Sequence, residues 1–150
     1  MQELRLRSVF MADEQKLTEL LEGPCPAVLT TYRADGSVST SPVWVGLYDG
    51  AFEIVMAAKD GKVRNLRRDQ RCLLVMFEAR PPFRGVEVRG KAEIESGEQV
   101  GRARRSIAVR YLGVEAGERF TNARADLPSV LVRVDSAIAR TWDLSAMIAE

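Results

Sequence analysis

Apolar residues along this chain alternate with polar ones in some stretches and recur every three or four positions in others, with Gly, Pro and Asp between them. Leu17, Leu20 and Leu21 share one helical face and Gly23-Pro24 ends the run, so a helix is predicted over Asp13 to Glu22. Ala27 to Arg33 is β-branched and apolar, Ala34-Asp35-Gly36-Ser37 turns, and Val38 to Leu47 returns, which predicts a hairpin. A further turn at Tyr48-Asp49-Gly50 leads to a third strand, Ala51 to Ala58. A short basic helix follows over Lys62 to Arg68. Arg71 to Glu78 is then apolar on both faces, with Leu73, Val75 and Phe77 on one and Cys72, Leu74 and Met76 on the other. Such a strand is covered twice, by the core on one side and by a helix or a second subunit on the other. After a loop at Pro81 to Gly85, Val86 to Glu95 alternates as a half-solvated strand does. Gly101 to Leu112 reads as an amphipathic helix with Ile107, Tyr111 and Leu112 inward and Gly113 as its stop, and Ser129 to Trp142 is the last strand.

About six strands joined by short turns, with two or three helices, fit a small closed or partly open antiparallel barrel of the α+β class, which removes exposed edges by curling. The 150 residues make one domain, 1–150, with residues 1–12 expected to form a flexible N-terminal segment. With 46% hydrophobic residues the chain can bury a sizeable core. Its formal charge of +1, from 22 basic and 21 acidic residues, gives no global field for nucleic acid or an anionic membrane, so any anion site is local. No apolar run reaches the length of a membrane span, and two cysteines, Cys25 and Cys72, are too few for a disulfide framework or zinc cluster. A soluble cytoplasmic protein with reduced thiols and no metal is expected. The absence of histidine removes the usual general base and metal ligand and every Ser/His or Cys/His nucleophile, which argues against hydrolysis.

Two stretches stand out chemically. In Ser41-Pro42-Val43-Trp44 the proline removes a ladder hydrogen bond, so its strand belongs at an edge or a bulge, where backbone is free to meet a ligand. In Gly61-Lys62-Val63-Arg64-Asn65-Leu66 a helix begins, and its N–H groups, dipole and Lys62 favour an anion. Taken singly, these residues also have plainer readings. Lys62, Arg64, Arg67 and Arg68 suit a solvated helix face, Pro42 an edge strand, Trp44 and Trp142 ordinary packing, and Cys25 and Cys72 small buried hydrophobes.

The order of elements, the Pro42-Val43-Trp44 strand, the Lys62 to Asp69 helix, the segment Arg84-Gly85-Val86-Glu87-Val88-Arg89-Gly90 and the late Trp142 together resemble one family. It is that of the flavin/deazaflavin oxidoreductases of the pyridoxamine 5'-phosphate oxidase-like superfamily, and the resemblance runs roughly from Leu17 to Trp142. It implies a six-stranded antiparallel split β-barrel with flanking helices, working as a homodimer with the cofactor in a groove between subunits. Ser41, Pro42, Val43 and Trp44 would line the ring system, with Ala57, Ala58 and Lys59 at the strand end beside it. Lys62 would hold the phosphate, Asn65 would order that end, and Trp142 would stand at the cofactor, open to contribution from the partner subunit. The implied cofactor is coenzyme F420, with FMN as the alternative and haem-derived tetrapyrroles in other members. The implied activity is hydride transfer to or from a small organic substrate, with the chemistry carried by the cofactor and no catalytic base required.

One position departs from the pattern. Relatives often place a second basic residue two positions before the lysine, but here Asp60 suits the helix N-cap and would repel an anion, leaving Lys59 to supply the charge if the loop is shifted. Two rival functions follow from other classes. One is a flavin or tetrapyrrole carrier without turnover. The other is a nucleic-acid-binding barrel using Arg64, Arg67, Arg68 and Arg71 with Arg102, Arg104, Arg105 and Arg110, against which stand the balanced charge and the lack of stacking aromatics beside these arginines.

Overall fold

Alternation of apolar residues along seven strands, one more than expected, builds a single antiparallel sheet among the described residues. The computed structural model describes residues 19–149, with the side chains of 136–138 excepted. The first strands are β1 (Ala27–Tyr32), β2 (Val38–Val43), β3 (Gly46–Tyr48) and β4 (Ala51–Ala57), followed by helix α1 (Gly61–Arg68). Then come β5 (Arg71–Phe77), β6 (Gly85–Glu95), helices α2 (Glu98–Leu112) and α3 (Val114–Ala123), β7 (Ser129–Trp142) and a single turn, α4 (Ser145–Ile148). Residues 19–22 are helical and bury Leu20 and Leu21. The rest of the helix predicted over Asp13 to Glu22, and the expected flexible segment 1–12, lie outside the described residues.

The strands run β2-β1-β5-β6-β7-β4-β3 across the sheet. β2 is therefore an edge strand, as its proline requires, with Pro42 facing Val28 of β1. The strand predicted over Val38 to Leu47 is two strands. It leaves β1 after Val43 and rejoins at the opposite end of the sheet, where Gly46 faces Glu53 of β4. Three residue steps of about 3.8 Å bring the two sheet ends within roughly 11 Å of each other, so the sheet is curled into a barrel that stays split between β1–β2 and β4.

Period-two burial fills the interior. Leu29, Leu74, Met76, Val86, Val88, Phe52, Ile54, Val132 and Val134 are all essentially inaccessible and pack in one cluster. A second, smaller cluster joins Val100, Ala103 and Ile107 of α2 to Leu131 of β7 and Val55 of β4. Helical cover thus falls on β4 and β7, whereas Leu73, Val75 and Phe77 of β5 are only half-buried on the outer face. Leu112 is exposed rather than inward, because it lies beyond the stripe formed by Val100, Ala103, Ile107 and Ala108. Gly113, at φ 85°, ends α2 as expected and also starts α3, a helix that the apolar pattern does not predict.

Candidate functional site

A hollow of about 970 Å³ occupies the split. Ala27 and Val28 of β1 and Pro42 and Val43 of β2 form one side, and Ile54 to Ala57 of β4 form the other. α2 contributes Arg104, Ile107 and Tyr111, α3 contributes Phe120, and the start of α1 contributes Asp60 and Lys62. The volume is at the upper end of the usual range for ligand sites, roughly 300 to 1,000 Å³.

Its geometry starts at Trp44, the residue where the chain crosses the split. The indole stacks on Tyr111 at 5.3 Å and 12° and meets Phe120 at 5.1 Å and 48°. The Tyr111 hydroxyl accepts from the Val45 N–H at 3.2 Å and donates to the Cys25 carbonyl at 2.8 Å, tying the crossing to the approach to β1. Burial pushes the Tyr111 hydroxyl and the Cys25 thiol up from their ordinary values, so both stay protonated in this wall.

At α1, Asp60 caps the helix. Its Oδ1 accepts the Lys62 N–H at 2.9 Å, its Oδ2 accepts Lys62 Nζ at 3.0 Å, and its carbonyl accepts from Val63 and Arg64. Burial alone would raise the Asp60 carboxyl, but the Lys62 N–H and ammonium outweigh it and hold it below its usual range. An anion entering here must share Lys62 with Asp60.

Other cations line the same space. Arg104 is 93% buried by its 7% exposure, and its Nη2 donates to Ser129 Oγ at 2.5 Å. No carboxylate among the described residues pairs with it. Its neighbour Arg102, in contrast, is neutralised by buried Glu53 at 2.7 Å and lies over the Tyr48 ring at 3.6 Å. Arg124 also lines the hollow, with its guanidinium 3.7 Å above the Phe120 ring.

Of the residues proposed from sequence, the hollow brings together Pro42, Val43, Trp44, Ala57 and Lys62. The others lie elsewhere in this chain. Ser41 is paired with Leu29 in the β1–β2 ladder, the Ala58 N–H bonds the Pro128 carbonyl at 2.9 Å, and Lys59 is exposed. Asn65 donates to Thr31 Oγ1 at 3.1 Å, fastening α1 to β1. Trp142 faces Gly85 across the β6–β7 ladder, where a Cβ on Gly85 would come within 2.1 Å of the indole. Sequence reasoning missed Arg104, Tyr111, Phe120 and Arg124 as lining residues. A signal existed for Arg104, which interrupts the apolar stripe Val100-Ala103-Ile107-Ala108 with a charge. Phe120 and Arg124 were missed because Val114–Ala123 was not read as a helix, although Val114, Gly117 and Phe120 recur at helical spacing.

Among the described residues, no group of three or more His, Cys, Asp or Glu is arranged to hold a metal ion, and no helix is long and apolar enough to cross a membrane. A split antiparallel barrel with a ring-sized hollow at the split defines the class of fold. The family model for pyridoxamine 5'-phosphate oxidase matches residues 13–143, and the chain belongs to that family of split barrels. No curated protein matches the chain. Among solved structures, the conserved hypothetical protein Rv2991 from Mycobacterium tuberculosis is 26% identical, with a TM-score of 0.78 over 91% of this chain and 88% of that one. HutZ, the haem storage protein from Vibrio cholerae, is 14% identical, with a TM-score of 0.70 over 89% and 95%. A protein named F420 reductase is 22% identical, with a TM-score of 0.60 over 88% and 98%. At these identities the last two likenesses speak for the fold alone.

Proposed function

We propose that this protein is an oxidoreductase that binds a deazaflavin, F420, or in its place FMN, in the hollow at the barrel split, and acts as a homodimer on a small organic substrate. The observation that carries the reading is the hollow itself: apolar strand walls wide enough for a tricyclic ring, with Lys62 at one end as a cation for an anionic tail.

When bound, the cofactor supplies the hydride chemistry. The chain's own residues position and shield. Pro42, Val43 and Ile54 exclude water from the ring's surroundings, and the Tyr111 hydroxyl holds the Trp44 crossing in place through its bonds to Val45 and Cys25. None of the lining groups with a shifted pKa is poised near neutrality, because Cys25 and Tyr111 are moved up and Asp60 down. A reaction that needs no protein acid or base is consistent with that set.

Haem is a weaker fit on donor chemistry. The chain contains no histidine, and of the other soft or phenolic donors at the hollow, Cys25 and Met56 are only 3% and 5% exposed and the Tyr111 oxygen already makes two hydrogen bonds. The test is a fluorescence titration of the purified protein with F420 and with FMN. F420 is expected to bind at micromolar or tighter affinity, and Lys62→Ala to weaken it by about 1.5 to 3 kcal/mol, the range for a lost charge-assisted contact. Absence of binding by both cofactors would remove the proposal, and an affinity unchanged in Lys62→Ala would take Lys62 out of the site.

A further inference from the structure

A buried guanidinium without a carboxylate is costly, since desolvation is repaid only by a well-placed counter-charge. Arg104 is mostly buried with no carboxylate partner among the described residues, and its remaining N–H groups stay accessible from the cavities it lines. It is always charged, carries five N–H donors, and has one of them committed to Ser129 Oγ. Ser129 in turn donates to the Leu127 carbonyl at 3.0 Å, so the hydroxyl is oriented and its oxygen is presented to the arginine. Ser129 faces Ala57 across the β4–β7 ladder, and Ser129 and Arg104 line both the hollow and a smaller neighbouring cavity that includes Glu98. Arg124 adds a second cation over Phe120, next to the aromatic wall of Trp44 and Tyr111.

We propose that Arg104 binds the oxyanion of an aromatic acid, whose ring lies against the wall formed by Trp44 and Phe120, and that this acid belongs to the substrate class. The word substrate rests on the redox reading above; the binding does not. An arginine fixed by a serine presents its remaining donors as a fork, which suits a carboxylate better than a neutral carbonyl or hydroxyl. Lys62 cannot serve this role equally, because its ammonium is already paired with Asp60 at 3.0 Å.

The test uses the Trp142→Phe variant, which leaves Trp44 as the sole tryptophan and its emission as the reporter. The probes are 2-naphthoate and its uncharged counterpart 2-naphthol, without cofactor. 2-Naphthoate is expected to bind about tenfold tighter than 2-naphthol, as a charge-assisted contact implies. Arg104→Met is expected to erase that preference while 2-naphthol binding persists, and Arg104→Lys to retain part of it. Ser129→Ala, which frees the guanidinium without removing it, is expected to reduce the preference severalfold and provides the readout if Arg104→Met does not fold. No preference in the parent protein, or an undiminished one in Arg104→Met, would overturn the proposal. Parallel titrations with FMN and riboflavin separate the other source of an oxyanion. If Arg104→Met abolishes discrimination between these two and leaves the naphthoate preference intact, Arg104 belongs to the cofactor tail and the substrate assignment fails. A naphthoate preference that depends on Arg104, in a protein that binds neither F420 nor FMN, would sustain the acid site and overturn only the redox reading.

Discussion

Asp60 determines how much of the Lys62 charge is left for a ligand. Its two carboxylate oxygens take both the N–H and the ammonium of that lysine. Asparagine caps helices about as well as aspartate, so Asp60→Asn should keep α1 intact while releasing the ammonium. Binding of an anionic cofactor is then expected to tighten about threefold to tenfold in a titration, the gain of roughly one charge contact; weaker binding would mean that Asp60 positions Lys62 rather than competing for it. Cys72 illustrates burial acting on a titratable group. Packed in the core, its thiol is raised from 9.0 to about 11 by desolvation. A folded-state pKa above the unfolded one means that the unfolded chain loses its proton first. The thiol's contribution is therefore complete below about pH 9 and is lost as pH rises toward about 11. Urea midpoints measured from pH 7 to 11 should fall over that window, and Cys72→Val should flatten the fall while changing neutral stability by less than about 1.5 kcal/mol. An alkaline fall identical in both proteins would assign it to other groups.

α3 brings Phe120 to the hollow and is the element that the sequence reading left out. Gly117 lets it settle on α2: a Cβ there would lie 2.6 Å from the Val109 backbone. Gly→Ala inside a helix ordinarily stabilises by roughly 0.5 to 1 kcal/mol, but here the added methyl must push the helices apart. Gly117→Ala is thus expected to lower the thermal midpoint and to weaken ring binding, because Phe120 and Arg124 move with α3. A raised midpoint with unchanged binding would contradict this packing. The legibility of the other elements follows the same physics. β1, β4, β5, β6 and β7 were readable because β-branched and apolar runs, alternating with charge in β6, are bounded by turn residues, and Ser129–Trp142 begins and ends where expected. The break between β2 and β3 was not readable, since Val38 to Leu47 has one continuous β-like composition and only the closure of the sheet makes it change partners. For the site, Pro42, Val43, Trp44, Ala57 and Lys62 were found from local chemistry, whereas Arg104 and Phe120 reach the hollow only through the packing of α2 on β4 and β7 and of α3 on α2.

For the molecule as a whole, the sheet carries an outer face that no helix among the described residues covers as α2 covers β4. Val28 stands beside Val75 and Thr30 beside Leu73 across the β1–β5 ladder, all half-buried. A second copy of the chain is the proposed cover, as the family resemblance implies. Val75→Lys places a charge in the middle of that face and is expected to convert a dimer to a monomer in light scattering, with far-ultraviolet circular dichroism unchanged; a monomeric parent protein would end the idea. The central claim is that the split between β1–β2 and β4 receives the ring of the cofactor. A crystal structure of the protein grown with F420 tests it most directly. The ring is expected between Pro42–Val43 and the β4 strand, with an anionic oxygen of the tail within hydrogen-bond distance of Lys62 Nζ. Density for the ring anywhere else, with the hollow closed by the chain's own side chains, would contradict it.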